Sequence, residues 1–319
     1  MSLLYHYAGN QKGFSILESK SIRLSDIRKS NDYNELLLFY PDIFYEILKV
    51  YREKPYDFKY EGLVGEKALI NLLNCTMDMI SDSVDEGDFS NFVLCFSEEA
   101  DMLSQWRGYA DDGKGISIGF SKELLQQKCN EEKSVFRLEK VSYISEERRK
   151  KIVRAKAVNA NKTLKGLRKW IVKNMTLDDA SEDTDGLLGF NFHGMIQYMM
   201  TDSLRYKQIG FREEKEWRLF LGDQAYKDPK WVVGEGCDGG GPQGFAETLE
   251  YLRNKIEFSI SDNNISPYVP LPFAELGEGF VKEVWIGPKS RIAKKDIELY
   301  LAKCGYNDVS VQFSQTSYR

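Results

Sequence analysis

Histidine and cysteine are scarce in this sequence, and their scarcity excludes several kinds of site. Two histidines, His6 and His193, and five cysteines occur among 319 residues. The cysteines are odd in number, lie far apart and form no CxxC pair, so we expect reduced thiols rather than a disulfide framework or a zinc cage. No HExxH pattern, no nucleophile elbow and no neighbouring histidine for a cysteine is present. Proteases and zinc hydrolases are therefore poor candidates, and no metal cofactor is predicted.

Long apolar runs are also missing. None reaches the roughly 18 residues that a membrane span requires, and the first residues lack the basic stretch, apolar core and cleavage site of a secretion signal. The sequence therefore predicts a soluble cytoplasmic protein with no membrane partner. Hydrophobic residues make up 42% of the chain and aromatic residues 13%, which is typical of a globular fold rather than a disordered one.

The usual glycine motifs for nucleotides are absent too. The glycine-rich segment 234–244 has neither the GxxxxGK[ST] pattern nor the strand-loop-helix context that GxGxxG demands. We interpret it as a mobile surface loop, and we exclude P-loop enzymes.

Acidic residues are missing from one long segment. Arg148 to Lys173 contains eleven basic residues and no acid, and five acids follow between Asp178 and Asp185. A basic helix of this kind would bind the phosphate backbone of a nucleic acid or an acidic protein. The alternative, which charge patterning favours, is a solvated helix neutralised by the acidic segment behind it.

Hydrophobic periodicity predicts an α+β fold with a mixed or antiparallel central sheet, in one domain over residues 1–319. Two helical blocks, at about 31–88 and 146–206, are predicted to form inserted helical layers. At the start of the first block, Asn31, Asp32 and Glu35 have the spacing of a capping box, which we favour over metal binding. The predicted strands cover 3–7, 21–27, 91–96, 114–120, 134–143, 211–220, 255–261, 281–286 and 309–313.

The segment Phe211–Phe220, FREEKEWRLF, is the most informative part of the chain. On a strand, a period of two would place Glu214, Glu216 and Arg218 on one face. Burying three ionisable groups on one face costs free energy, so we expect them to be buried only where they have a functional role. The face is therefore either a cross-strand ion network at a sheet edge or the lining of a polar site where carboxylates do chemistry.

Two further candidate groups lie elsewhere. His6, on the first predicted strand, is either a hydrogen-bonded structural group or a functional one. Trp106 and Tyr109 lie three residues apart on a short predicted helix. They either wall a planar ligand or pin the helix to the sheet, and the second role is the commoner one for aromatic pairs at this spacing.

Several blocks of the chain resemble an uncharacterised bacterial family, the domain of unknown function 2971. The opening LYHYAGNQKGFSILESKSIRLSDIRKSNDYNE is similar to the start of its members. The likeness continues through CFSEEADMLSQWRGYADDGKGISIGF, YKQIGFREEKEWRL, EVWIGPK and the terminal SQTSYR. It therefore spans nearly the whole chain, but the family carries no assigned activity and gives no function by itself.

The opening also resembles that of ADP-ribosyltransferases. These enzymes place a histidine or arginine on the first strand, a serine or tyrosine on a middle strand and a glutamate on a later strand, often within ExE. The matching positions here are His6, then Ser97 or Tyr109, then Glu216; no STS triplet is present. The resemblance implies an ADP-ribosyltransferase-like fold that uses NAD as a substrate.

The resemblance also implies a role for each carboxylate. Breaking the bond between nicotinamide and ribose builds positive charge on the sugar, so a fixed carboxylate nearby stabilises the transition state. Glu216 would take this role, and Glu214 would orient or activate the acceptor nucleophile.

The remaining candidates would bind the substrate. His6 would hold the adenosine ribose by hydrogen bonds, and Ser97, Tyr109 or Trp106 would position the nicotinamide. Arg218 would bind the pyrophosphate or hold the two glutamates in place.

The leading hypothesis is therefore an NAD-dependent ADP-ribosyltransferase-like enzyme that modifies a protein or a nucleic acid, in a toxin or phage-defence setting by analogy with such enzymes. One alternative is a non-catalytic nucleotide- or partner-binding protein on the same scaffold. Another is a nucleic-acid-binding protein that uses the basic helix 148–173.

Overall fold

The structure is a computed structural model that describes residues 2–27, 37–40, 42–86, 92–132, 134–174, 182–221, 251, 254–261 and 264–318. The predicted capping box at Asn31, Asp32 and Glu35 lies outside the described residues, as does the glycine-rich segment 234–244. Within those ranges, no helix has both the length and the apolar character that a bilayer crossing requires.

The described residues form one large sheet and two small two-stranded sheets. The strands, in chain order, are β1 (Leu3–Ala8), β2 (Ser21–Asp26), β3 (Lys59–Tyr60), β4 (Leu63–Val64), β5 (Phe92–Ser97), β6 (Ile116–Ser121), β7 (Phe136–Lys140), β8 (Ser142–Ile144), β9 (Tyr206–Gln208), β10 (Glu216–Leu221), β11 (Glu257–Ser261), β12 (Asn264–Pro272), β13 (Val281–Ile286) and β14 (Ser310–Phe313).

The large sheet forks at β5. Ser97 pairs with Tyr5 of β1 on one edge and with Glu216 of β10 on the other. At the opposite end of β5, Val93 pairs with Ser25 of β2 on the edge that β1 also occupies. Strands β1 and β2 therefore leave the same edge of β5 in different directions. The β1 arm continues through β6 and β13 to β14, and the β2 arm through β12 to β11.

Strand pairing makes the sheet mixed. All pairs of the large sheet are antiparallel except β13 with β14, which run parallel. Helices and strands neither alternate regularly nor separate fully along the chain. The predicted α+β class with a mixed central sheet is confirmed.

Eight α-helices in the described ranges cover the two faces of the large sheet. They are α1 (Asn10–Ser19), α2 (Asp42–Glu53), α3 (Gly65–Glu86), α4 (Leu103–Tyr109), α5 (Lys122–Asn130), α6 (Glu146–Asn174), α7 (Glu182–Ser203) and α8 (Lys294–Lys303).

Three apolar clusters hold these layers together. On one face, Phe96 and Phe120 pack with buried side chains of α1, α5 and α8. On the other face, Val93 and Phe220 pack against the helices α2, α3, α6 and α7. A third, small cluster forms under α4 around Trp106. The two predicted helical blocks therefore join in a single layer over the β5–β10 part of the sheet, with a separate cover provided by α4.

Local sequence explains why these elements form. In β2, the alternation of buried Ile22 and Leu24 with exposed neighbours is that of a strand with one face in the core. In α2, buried Ile43, Ile47 and Tyr51 recur at four-residue intervals, which makes one apolar stripe. Ser121 caps α5, since its Oγ accepts a hydrogen bond from the Leu124 N–H at 3.4 Å.

Candidate functional site

A cavity of about 60 Å³ opens where β1 and β5 part. It lies between the small apolar cluster under α4 and the helical layer that covers the β5–β10 part of the large sheet. Four of the predicted site residues line it, whereas Ser97, Trp106 and Arg218 do not. The lining comes from β1, β5, α4 and the chain entering β10, and it consists of Tyr5, His6, Tyr7, Cys95, Phe96, Gln105, Tyr109, Glu214 and Glu216.

His6 occupies the fork itself. Its Nδ1 lies 2.9 Å from the carbonyl oxygen of Cys95, midway between the two short pairings that Val93 and Ser97 make on this edge of β5. Because a carbonyl only accepts, Nδ1 carries the proton and the neutral ring keeps Nε2 as an acceptor.

Burial keeps the His6 imidazole neutral. Desolvation lowers the pKa of the ring, the Cys95 carbonyl opposes this effect, and the charge of Lys12 adds to the lowering. The net direction is a pKa below the ordinary value of 6.5. A neutral histidine that lines a cavity offers a hydrogen-bond acceptor rather than a positive charge.

His6 and Glu216 reach the cavity from opposite faces of the sheet. Paired residues of antiparallel strands project to the same side, so Glu216, Ser97 and Tyr5 share one face. His6 alternates to the other face, where its ring makes an edge contact with Phe96 at 6.2 Å. Strand β5 separates β1 from β10, and the two groups line one cavity only because the sheet opens at the fork.

Glu216 belongs to a buried ion network. Its Oε1 accepts from Nε of Arg218 at 2.7 Å and its Oε2 from Nη2 of the same guanidinium at 3.1 Å. Nζ of Lys207 lies 3.2 Å from Oε2. Arg218 is fully buried and its Nη1 also donates to the carbonyl of Leu204 at 2.9 Å. The guanidinium therefore fixes the carboxylate, which is one of the two roles predicted for Arg218.

These partners keep the Glu216 carboxylate ionised. Burial alone raises its pKa, but the charge of Arg218, its hydrogen bonds and the charge of Lys207 outweigh that effect. The thiol of Cys95 adds a hydrogen bond that acts in the same direction. The result is a pKa below the ordinary value of 4.5, so the carboxylate is charged and held in one place at neutral pH.

Glu214 reaches the same network from a different element. The strand predicted over 211–220 begins only at Glu216, because residues 209–214 form a 3₁₀ helix and Lys215 takes a left-handed φ of 46°. The Glu214 carboxylate nevertheless lies 2.7 Å from Nζ of Lys207, which bridges both glutamates. Strand β10 pairs with β5 on one edge and β7 on the other, so the network is not at a sheet edge, where the alternative reading placed it.

Ser97 is a structural hydroxyl. It is buried, its Oγ donates to the carbonyl of Glu214 at 2.8 Å, and it accepts from the N–H of Glu99 at 3.2 Å. It ties the end of β5 to the 3₁₀ turn before β10, so it positions Glu214 without lining the cavity.

Trp106 and Tyr109 have different environments although they share a helix. Trp106 is fully buried, packs edge-on against Tyr7 at 4.8 Å and donates from Nε1 to Asp101 at 2.6 Å. It pins α4 to the sheet, which is the role that the spacing favours. Tyr109 is 41% exposed and lines the cavity.

Sequence reasoning missed several residues of the site. Lys207 is 1% exposed and joins the two glutamates, but a single lysine after a helix gives no signal. Tyr5 and Tyr7 line the cavity on either side of His6. Their alternation with His6 on β1 was visible and places their side chains on the Glu216 face.

Cations of the basic helix α6 pair with acids of α2, of α7 and of α6 itself. Arg149 binds Asp42 at 2.5 Å, and Arg154 binds Glu46 at 2.8 Å and also Glu53. The predicted partners, the acids between Asp178 and Asp185, lie partly outside the described residues. For Arg149 and Arg154 the described partners come instead from α2, which packs alongside α6. The cations of α6 that remain exposed among the described side chains include Lys162, Lys165 and Lys169.

The described residues contain no group of three or more His, Cys, Asp or Glu side chains arranged to hold a metal ion.

A family model matches part of the chain. Residues 105–219 match the family described as "Protein of unknown function (DUF2971)", which confirms the resemblance to that family over this segment. No curated protein and no solved structure matches the chain significantly. The matched segment runs from Gln105 on α4 to Leu219 on β10, so it includes Tyr109 and Glu216, whereas His6 lies outside it.

Proposed function

We propose that the chain is an ADP-ribosyltransferase-like enzyme that uses NAD as a substrate at the cavity between β1, β5 and α4. One observation carries the proposal: an ionised, fixed carboxylate, a neutral imidazole and an exposed aromatic ring lie around one cavity. The carboxylate can stabilise the positive charge that develops on the ribose, and the imidazole and the ring can bind the substrate.

The chemistry assigns different roles to the two glutamates. As nicotinamide leaves, positive charge develops on the ribose, and a carboxylate that is already charged and oriented stabilises it without reorganisation. Glu216 has this character, since Arg218 and Lys207 hold it in place. Glu214 is the less buried of the two, with its side chain 12% exposed against 5%, so it is the better placed to meet the acceptor nucleophile.

The cavity is suited to one end of the substrate. Its volume of about 60 Å³ is well below the roughly 300 to 1,000 Å³ of pockets that enclose a drug-sized ligand. Nε2 of His6 accepts a hydrogen bond from a ribose hydroxyl, and the ring of Tyr109 packs on a planar base. The rest of the dinucleotide lies outside the cavity. Three of the predicted site residues do not line the cavity and position residues that do. Ser97 positions Glu214, Trp106 positions α4, and Arg218 positions Glu216.

Release of nicotinamide from NAD tests the proposal. The wild-type protein is incubated with NAD and mixtures of protein or nucleic-acid acceptors, beside Glu216→Gln, Glu214→Gln and the matched control Glu213→Gln. Glu213 lies in the same segment but is exposed and outside the cavity. We expect Glu216→Gln to lose roughly 10²-fold or more in rate, as for other preorganised charged groups, and Glu213→Gln to keep the wild-type rate. Melting temperatures show whether each variant is folded.

Two results would count against the proposal. One is no nicotinamide release by the wild type with any acceptor mixture. The other is an equal loss in Glu216→Gln and Glu213→Gln.

A second candidate, a non-catalytic nucleotide-binding protein, is favoured by a different observation. Both carboxylate oxygens of Glu216 already accept hydrogen bonds from Arg218, in a network where two cations balance two anions. A carboxylate with these partners can have a purely structural role in the ion network, without taking part in a reaction. This candidate predicts that NAD or ADP-ribose binds in calorimetry, that His6→Ala weakens the binding, and that the wild type releases no nicotinamide.

A further inference from the structure

The last described residues of the chain cross α4, the helix that supplies Gln105 and Tyr109 to the cavity. The crossing follows β14, and the Ser314 N–H donates to the carbonyl of Ile286 at 2.9 Å. We call residues 314–318 the C-terminal strap.

Asp101 joins the strap to the start of α4. Its carboxylate accepts hydrogen bonds from Oγ of Ser314 at 2.5 Å, the N–H of Gln315 at 2.7 Å and Oγ1 of Thr316 at 3.1 Å. The same carboxylate accepts from Nε1 of Trp106 at 2.6 Å. Three of its four donors therefore come from the strap and one from the helix. Burial alone raises the pKa of Asp101, but these donors outweigh it and the net direction is downward.

Tyr318 joins the strap to the other end of α4. Its hydroxyl donates to Asp112 at 2.5 Å, just beyond the helix. The ammonium of Lys289 lies 3.8 Å from the centre of the Tyr318 ring and donates to Asp112 at 2.8 Å, and the guanidinium of Arg107 lies 5.7 Å from the same ring. The strap is thus tied down on both sides of the helix.

Helix α4 needs such support. It has seven residues, far fewer than the roughly 12 to 15 at which an isolated helix becomes marginally stable in water. Its buried anchor is Trp106 against Tyr7, while Tyr109 at its end is largely exposed. A helix this short depends on contacts from outside it for its position.

We propose that the C-terminal strap, acting through Asp101 and Tyr318, is a positioning element that holds α4 in place as the wall of the cavity. Its loss opens the cavity while the sheet and the helical layer stay folded. The inference rests on the geometry of the wall and not on the proposed reaction, so the two stand or fall separately.

Cys95 lines the cavity, so the rate at which its thiol is alkylated measures how well α4 closes the cavity. We would prepare one protein in which Cys95 is the sole cysteine and a second in which the sole cysteine is Cys304, which follows α8 and does not line the cavity. Alkylation by iodoacetamide is followed by mass spectrometry. Deleting residues 314–319 is expected to raise the rate at Cys95 several-fold and to leave the rate at Cys304 unchanged.

Two further variants make the result decisive. The pair Ser314→Ala and Thr316→Val removes two donors of Asp101 with little change in shape and should raise the Cys95 rate in the same direction. Gln312→Ala, on exposed β14, is the matched control and should change neither rate. If the deletion unfolds the protein, the Cys95 alkylation rate of the Ser314→Ala/Thr316→Val variant tests the proposal instead. An unchanged Cys95 rate in that variant, or equal rises at Cys95 and Cys304, overturns the proposal.

Discussion

Nδ1 of His6 donates a hydrogen bond of 2.9 Å to the carbonyl of Cys95 at the fork of the sheet. At this point β1 has left β5, so an imidazole takes the place of a backbone N–H in the ladder. The residue is therefore structural through Nδ1 and available to a ligand through Nε2. These two roles are separable by experiment.

Replacement of His6 by alanine should destabilise the fold. It leaves the Cys95 carbonyl without its donor, and a buried group that loses its partner costs about 1 to 3 kcal/mol. Thermal unfolding of His6→Ala beside the exposed control Gln11→Ala measures the loss. Equal melting temperatures for the two variants would show that the hydrogen bond contributes nothing to stability.

The stability of the protein should fall as the pH is lowered through the histidine range. Burial lowers the pKa of both His6 and His193 below the ordinary value of 6.5. The unfolded chain then binds protons more tightly than the folded one, so this stability is complete above pH 6.5 and is lost as the pH falls towards the folded-state values. Melting temperatures between pH 7.5 and 5.5 should decline in the wild type and decline less in His6→Gln/His193→Gln. An identical decline in both proteins would rule out the histidines as its cause.

The buried network should show strong coupling between Glu216 and Arg218. Breaking a buried ion pair from one side leaves an uncompensated charge, which costs roughly 3 to 5 kcal/mol. Glu216→Gln and Arg218→Met should each destabilise strongly, and the double variant should be less unstable than the sum of the two. Denaturant unfolding of the four proteins gives the coupling energy. Additive losses would mean that the pair does not act as a unit.

Much of the architecture could be predicted because periodicity reports burial directly. The alternation in β2 and the four-residue stripe in α2 are local signals, and both elements are present. Strand β12 was missed because Pro267, Pro270 and Pro272 argue against a strand. In an antiparallel pair, only every second residue donates its backbone N–H to the neighbouring strand. A proline, which has no N–H, can occupy one of the other positions.

The candidate site depended more on contacts that are distant in sequence. The period-two alternation in EKEWR places Glu216 and Arg218 on one face, which the structure has. It also predicted a strand through Glu214, where a 3₁₀ helix forms instead. The salt bridges of Lys207 and the fork that brings His6 to the cavity depend on strand pairing, and no local pattern encodes that pairing.

Any binding of nucleic acid by α6 should depend on the exposed lysines Lys162, Lys165 and Lys169, for which the described residues supply no carboxylate partner. Each phosphate contact contributes about 0.7 to 0.9 to the slope of log affinity against log salt concentration. Replacing exposed Lys162, Lys165 and Lys169 by glutamine should therefore reduce that slope by about 2 to 3. Arg149→Gln/Arg154→Gln is the control, since both arginines are paired with acids. An equal change in both variants, or no salt dependence in the wild type, would count against a nucleic-acid partner.

Two glycines, Gly108 within α4 and Gly115 just before β6, should respond to alanine with opposite signs. A Cβ at Gly115 would lie 2.2 Å from the carbonyl oxygen of Ala8 and 3.0 Å from that of Ala110, and both are backbone atoms that cannot rotate away. Ala8 ends β1 and Ala110 follows α4, so Gly115→Ala pushes apart the two elements that form the cavity wall. We expect a loss of about 1 to 3 kcal/mol, the usual cost of overpacking.

At Gly108, a Cβ meets nothing within 4 Å, and alanine within a helix is more stable than glycine by roughly 0.5 to 1 kcal/mol. Thermal unfolding should therefore place Gly115→Ala below the wild type and Gly108→Ala at or above it. A wild-type melting temperature for Gly115→Ala would mean that β1 and α4 are not held as closely as the described contacts require.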